Sequence, residues 1–181
     1  LWLPRKLERQ AEFLSKDPEC RFCQTEEIWI RRGVRVNPKK RHQKPSGWVF
    51  AQCLEICRIS PSAVVIRKEF FAELGGFDEG FPVCEDYELW LRASLRSPFF
   101  TLSEPGVVKR GGHPDQLSKK YPAIDRFRVQ ALEKILELEA LTPEMRRLAQ
   151  AERIKKLRYL AQGFQKRYPL ARNRYQDKLG P

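Results

Sequence analysis

The 181-residue chain predicts an α/β fold, helix-rich with short strands and closed by a C-terminal helical appendage. Three observations carry that expectation. Short β-branched runs alternate with segments in which apolar residues recur at helical spacing. Proline and glycine punctuate the chain where those periods change. The last stretch, from about Leu141, is basic and keeps a helical period.

Pro4 suits a first helical turn, and Leu3, Leu7, Ala11 and Leu14 step along one face. Residues 3–16 therefore predict an amphipathic helix, ended by Asp17-Pro18. In residues 26–36, Ile28 and Ile30 alternate with Trp29 and Arg31, the mark of a strand or hairpin around Gly33. Asn37 to Ser46, NPKKRHQKPS, reads as a basic surface loop. Trp48 to Cys57 predicts a buried helix, Ala63 to Arg67 a short core strand, and Lys68 to Leu74 a brief helix stopped at Gly75. Trp29, Trp48 and Trp90 are expected in the core.

Gly75 and Gly76 accept positive φ, so GGFDEG with Pro82 forms a shaped loop that delivers a helix from Glu85 to about Arg96. Phe99 to Leu102 and Val107 to Lys109 predict two short strands. Asp115 is expected to cap a short turn through Ser118, and Ile124, Phe127, Ala131, Ile135 and Leu138 mark a long helix. Thr142 as N-cap and Pro143 at the first position open a last helix, antiparallel to it, carrying Ile154, Leu157, Ala161, Phe164 and Tyr168.

Hydrophobic residues make up 41% and charged residues 32%, enough apolar content for a core and too interrupted for a membrane span. No signal peptide is expected at the start, which reads as a cut. Five cysteines, an odd number, fit a reducing compartment. The net charge is +12, and residues 144–181 hold eleven Lys/Arg against three Asp/Glu, or +8. Such a tail suits an anionic partner: a phospholipid surface, a nucleic acid or a pyrophosphate-linked substrate.

The chemistry concentrates between Gly75 and Arg92. Glu85 and Asp86 fall in a first helical turn, where unpaired N–H groups and the dipole favour carboxylates. They either complement the dipole or act as acceptors at a loop mouth. His113, in a Gly-Gly-His-Pro turn, is either a surface residue or a ligand for metal or phosphate. Cys20, Cys23, Cys53 and Cys57 invite a zinc reading, but the three-residue spacing of the second pair puts two thiols on one apolar helix face, so no bound zinc is expected. Arg92 is expected to pair with Glu85, Asp86 or Glu88.

Taken together, LWLPRKLERQAEFL, ISPSAVVIRKEFF, GGFDE, CEDYELWLR and GGHPDQLS resemble, in order, the carboxyl-terminal half of family 2 glycosyltransferases with the GT-A fold. The resemblance covers residues 1 to about 140, leaving 141–181 as a basic helical extension. It implies the acceptor-side half of an inverting, hexosyltransferase-type enzyme, with Asp86 as catalytic base. Glu85, Asp78, Glu79, Gly76 and Trp90 would shape or bind acceptor. His113 would meet metal or diphosphate, and Lys109 and Arg110 phosphate. A divalent metal, Mg or Mn, is implied as cofactor, a nucleotide sugar as donor, and a glycan or lipid-linked hydroxyl compound as acceptor. The family's DxD half has no counterpart in this sequence, so the chain alone is expected to be inactive. A cytoplasmic location is implied, with the basic tail at the inner face of the membrane, and a second copy could cover an exposed sheet edge in a homodimer. The rival from another class is a non-enzymatic nucleic-acid-binding module using the tail and Lys39 to Lys44. It lacks a recognised nucleic-acid motif, and no nucleic acid is expected as partner.

Overall fold

The computed structural model describes residues 1–37, 42–111 and 120–179. Among these, helix α1 (Lys6–Lys16) leads into strand β1 (Phe22–Arg31) and a tight turn to β2 (Val34–Val36). Helix α2 (Phe50–Glu55), β3 (Val64–Ile66), α3 (Lys68–Glu73) and α4 (Glu85–Ser94) follow, then β4 (Phe99–Gly111). Three helices close the chain: α5 (Asp125–Leu136), α6 (Pro143–Arg167) and α7 (Arg174–Asp177). The fold is mixed α/β, as expected, but its two main strands are long.

Strand β1 is the spine of the sheet. Antiparallel β2 and β3 pair with its two ends, and β4 runs parallel to its whole length. A parallel pair requires a crossover, and residues between β1 and β4 supply it with α2, α3 and α4. The two short strands expected at 99–102 and 107–109 are one strand. Register shifts at Thr25/Glu26 and Glu26/Glu27 absorb the irregular Ser103–Gly106 stretch, so Leu102 faces Thr25 while Val107 faces Glu27. Gly106 sits there because a Cβ would meet Thr25 Oγ1 at 2.6 Å. The outer edge of β4 is met by the chain itself: Gly47 and Phe99 exchange backbone hydrogen bonds of 2.7 and 2.8 Å, and Leu3 N donates to Gly106 O at 2.8 Å. The cover expected from a second copy is in these places internal.

The core gathers on the α4 side of the sheet. Phe22 lies 4.6 Å from Phe99, 5.6 Å from Phe70 and 6.1 Å from Trp90 between ring centroids, with Tyr87, Leu89, Leu91, Leu132 and Ile135 around them. Such aromatic pairs contribute about 1 kcal/mol each beyond area burial. Helix α1 covers the other face, but not on the face expected: Leu7 is half-exposed, while Lys6, Gln10 and Leu14 are buried. Gln10 faces inward because its amide donates to Cys23 O at 3.1 Å and Ala63 O at 3.0 Å, satisfying two buried carbonyls. Trp48, expected in the core, is exposed; Gly47 at φ 93 turns it outward, and α2 begins only at Phe50.

Helices α5 and α6 pack as the expected antiparallel pair: Arg146 meets the Leu136 carbonyl, Arg153 bonds Glu133 at 2.9 Å and Lys156 faces Asp125 at 3.8 Å. Thr142 caps α6 by accepting from Met145 N at 3.2 Å, with Pro143 at the first turn. Leu141 and Ala149 enter the main core, and Lys156 Nζ donates to Glu55 O at 2.8 Å. Among the described residues, no helix is long and apolar enough to cross a membrane.

Candidate active site

The start of α4 opens onto a cleft of about 570 Å³. Glu85 and Asp86 lie on one wall, with Cys57, Arg58 and Ser60 after α2 beside them. Glu27 and Trp29 of β1, Lys44, Lys109 of β4 and Arg128 of α5 complete it. Cys84, just before the helix, holds φ 66 and ψ 17 without being glycine. A left-handed residue of this kind costs about 1 kcal/mol or more and marks a position the surroundings impose. It turns the chain so that the first-turn acids face the cleft.

Both Asp86 oxygens are held. Oδ1 accepts from Tyr87 N at 2.7 Å, and Oδ2 accepts from the Cys57 thiol at 3.4 Å. Tyr87 is itself pinned, its hydroxyl donating to Leu54 O at 2.6 Å. Burial, then the Asp86 charge, pushes the Cys57 thiol well above its ordinary range, so it stays protonated and donates.

Elsewhere the cleft lining is cationic around one buried carboxylate. Glu27 Oε2 accepts from Trp29 Nε1 at 3.0 Å and lies 3.5 Å from Lys44 Nζ; Oε1 lies 3.9 Å from Lys109 Nζ. Lys44, its side chain 5% exposed, also donates to Gln24 at 2.8 Å. Burial lowers its pKa, with Glu27 opposing. Lys109, 42% exposed, is the accessible cation, held by Ser60 Oγ at 3.2 Å and 5.2 Å above the Trp29 ring. Gln24 and Glu27 are three apart and would face opposite sides of a regular strand. The register shifts at Thr25 to Glu27 bring both to Lys44.

The other expected site residues separate from this group. Gly76 and Asp78 belong to a brace behind α4. The Arg92 guanidinium donates to the Leu74 carbonyl, to Gly76 O at 2.9 Å and to the fully buried Glu88, as expected for Arg92. Lys134 bridges Glu88 at 2.6 Å and Asp78 at 2.7 Å, and holds the Asp78 carboxyl below its ordinary range, with Gly80 N donating as well. Glu79 is exposed beside them. Trp90 is core, stacked on Phe22. Arg110 is exposed on the sheet face opposite its neighbour Lys109, since successive side chains alternate. His113 and the Asp115 turn lie outside the described residues.

Glu27, Cys57, Arg58 and Arg128 are not among the expected site residues; Lys44 comes from the basic loop, and Trp29, expected in the core, is only partly buried and lines the cleft. Only Glu27 carried a local signal, a carboxylate inside a β-rich run. The described residues do not by themselves fit a divalent metal. Among the described residues no group of three His, Cys, Asp or Glu converges, and the buried cleft carboxylate Glu27 faces Lys44 and Lys109 instead. The free cysteines are dispersed, Cys20 and Cys23 under α1, Cys53 and Cys84 in the main core.

With this geometry in hand, comparison with known proteins gives two likenesses. Residues 43–122 match the family described as glycosyltransferase like family 2. The chain is 26% identical over 131 residues to an uncharacterized glycosyltransferase of Rickettsia felis, a match covering 66% of this chain and 21% of that protein. The chain thus spans about a fifth of the length of that curated relative. Residues 43–122 are therefore a segment like family 2 glycosyltransferases, and it is this segment that brings Lys44, Cys57, Arg58, Glu85, Asp86 and Lys109 to the cleft.

Proposed function

We propose that this chain is the acceptor side of a glycosyltransferase with a partial GT-A fold, moving a sugar from a nucleotide sugar to a hydroxyl acceptor with inversion. The observation that carries this is that Asp86, half-buried and fixed at both oxygens, lines one cleft with Lys44, Arg58, Lys109 and Arg128. In the step proposed, Asp86 removes the acceptor hydroxyl proton as that oxygen bonds to the anomeric carbon. The bond from that carbon to the diphosphate oxygen breaks, and the diphosphate leaves with the electron pair. Glu85 orients the acceptor, and Lys109 and Arg58 answer the charge developing on the leaving group.

Donor binding is assigned to further residues of a longer protein, so this chain alone is expected to be inactive. The test is transfer by the longer protein from a panel of nucleotide sugars, with the product's anomeric configuration read by proton NMR. Inverted product from the parent, with Asp86→Asn binding donor but making none, is expected. Retained configuration, or undiminished transfer by the variant, would overturn the reading.

A further inference from the structure

We propose that the turn joining α6 to α7 is a membrane-docking wedge for an anionic lipid surface, a site separate from the cleft and independent of transfer.

Nine consecutive residues, Lys166 to Arg174 (KRYPLARNR), carry four cations and no acid. At their centre Leu170 is fully exposed, and Tyr168 is 50% exposed beside it. About two helical turns before Lys166, Arg158 and Tyr159 are exposed as well. An aliphatic tip ringed by arginine and lysine matches a bilayer interface: apolar tip below the headgroups, tyrosines and cations among them.

The turn is built rather than frayed. Asn173 folds it back onto α6, its side-chain amide donating to Ala161 O at 2.8 Å and its Oδ1 accepting from Tyr175 N and Gln176 N. Gln165 Nε2 donates to Pro169 O at 2.7 Å, Tyr168 N to Phe164 O at 2.9 Å and Ala171 N to Tyr168 O at 3.2 Å. The backbone on either side of Leu170 is thus tied within the chain at Tyr168, Pro169 and Ala171, so the turn holds its shape at the surface. Phe164 lies 5.1 Å from Tyr168 and 5.9 Å from Tyr175, so the apolar tip rests on an aromatic base.

A nucleic acid would answer the same charge but not the tip. It offers no apolar surface for a projecting leucine, and Tyr168 is engaged with Phe164 rather than splayed for base stacking.

The experiment is co-sedimentation of the chain with vesicles of phosphatidylcholine alone and of phosphatidylcholine with phosphatidylglycerol. Binding is expected only to the anionic vesicles. It should fall about tenfold in Leu170→Ser, and about a hundredfold in Lys166→Gln/Arg167→Gln/Arg172→Gln or at about 0.5 M salt. Leu170 makes no core contact, so its substitution leaves the fold intact, checked by circular dichroism. Leu170→Trp should show blue-shifted emission on the anionic vesicles. Absence of binding to either vesicle would overturn the proposal, as would an unshifted tryptophan. So would binding that needs the cations yet ignores Leu170→Ser, the signature of a nucleic-acid or other polyanion site.

Discussion

The Cys57 sulfur lies 3.4 Å from Asp86 Oδ2, and the thiol is the donor. This contact couples a residue after α2 to the first turn of α4, and the carboxylate bears on the state of the thiol. Burial is the larger reason the thiol resists ionisation, and the Asp86 charge the next. Thiol alkylation by iodoacetamide at pH 8 is therefore expected to be slow at Cys57 and several-fold faster in Asp86→Asn, followed by mass spectrometry. Equal rates in the two proteins would show that the carboxylate does not act on the thiol.

Burial also pushes up the other four thiols from an ordinary 9.0, Cys20 and Cys53 to about 12, Cys84 to about 11 and Cys23 in the same direction. Their folded forms hold protons that the unfolded chain releases first. This contribution is whole below about pH 9 and declines as pH rises towards 11 to 12. The melting temperature is expected to fall across that interval, and Cys84→Ala to flatten the decline.

Glu88 is fully buried between Arg92 and Lys134. Arg92→Met removes one of its two cations and strips the Leu74 and Gly76 carbonyls of a donor. Urea unfolding is expected to show a loss of about 3 kcal/mol. The GGFDE loop should loosen with it, seen as faster amide exchange at Asp78 to Gly80.

Gly106→Ala places a methyl 2.6 to 2.9 Å from Thr25. Overpacking of this kind costs about 1 to 3 kcal/mol. Because the same irregularity sets the register of Glu27 and Lys109, the variant is also expected to weaken whatever anion the cleft holds.

What was legible in the sequence was local. The acids of the α4 first turn, the Gly75 stop and the Thr142-Pro143 cap each follow from a few neighbouring residues, and each stands where expected. The cleft itself was not legible. Glu27, Lys44 and Lys109 meet only through the parallel pairing of β1 with β4, and Gln24 and Glu27 share Lys44 only because the register slips between them. No period in the chain announces such a slip. The α1 face was misjudged for a related reason. Apolarity favoured Leu7, whereas two distant carbonyls required Gln10.

Asp86 and Glu85 take unequal roles in the proposed step, so the most direct measurement is kcat of the longer protein in Asp86→Asn beside Glu85→Gln. Asparagine keeps the carbonyl that accepts from Tyr87 N, so the fold of the turn is preserved. Loss of about 10² to 10⁴ in kcat is predicted for Asp86→Asn, with less than about tenfold for Glu85→Gln. Equal losses in the two variants, or a larger loss at Glu85, would contradict Asp86 as the base.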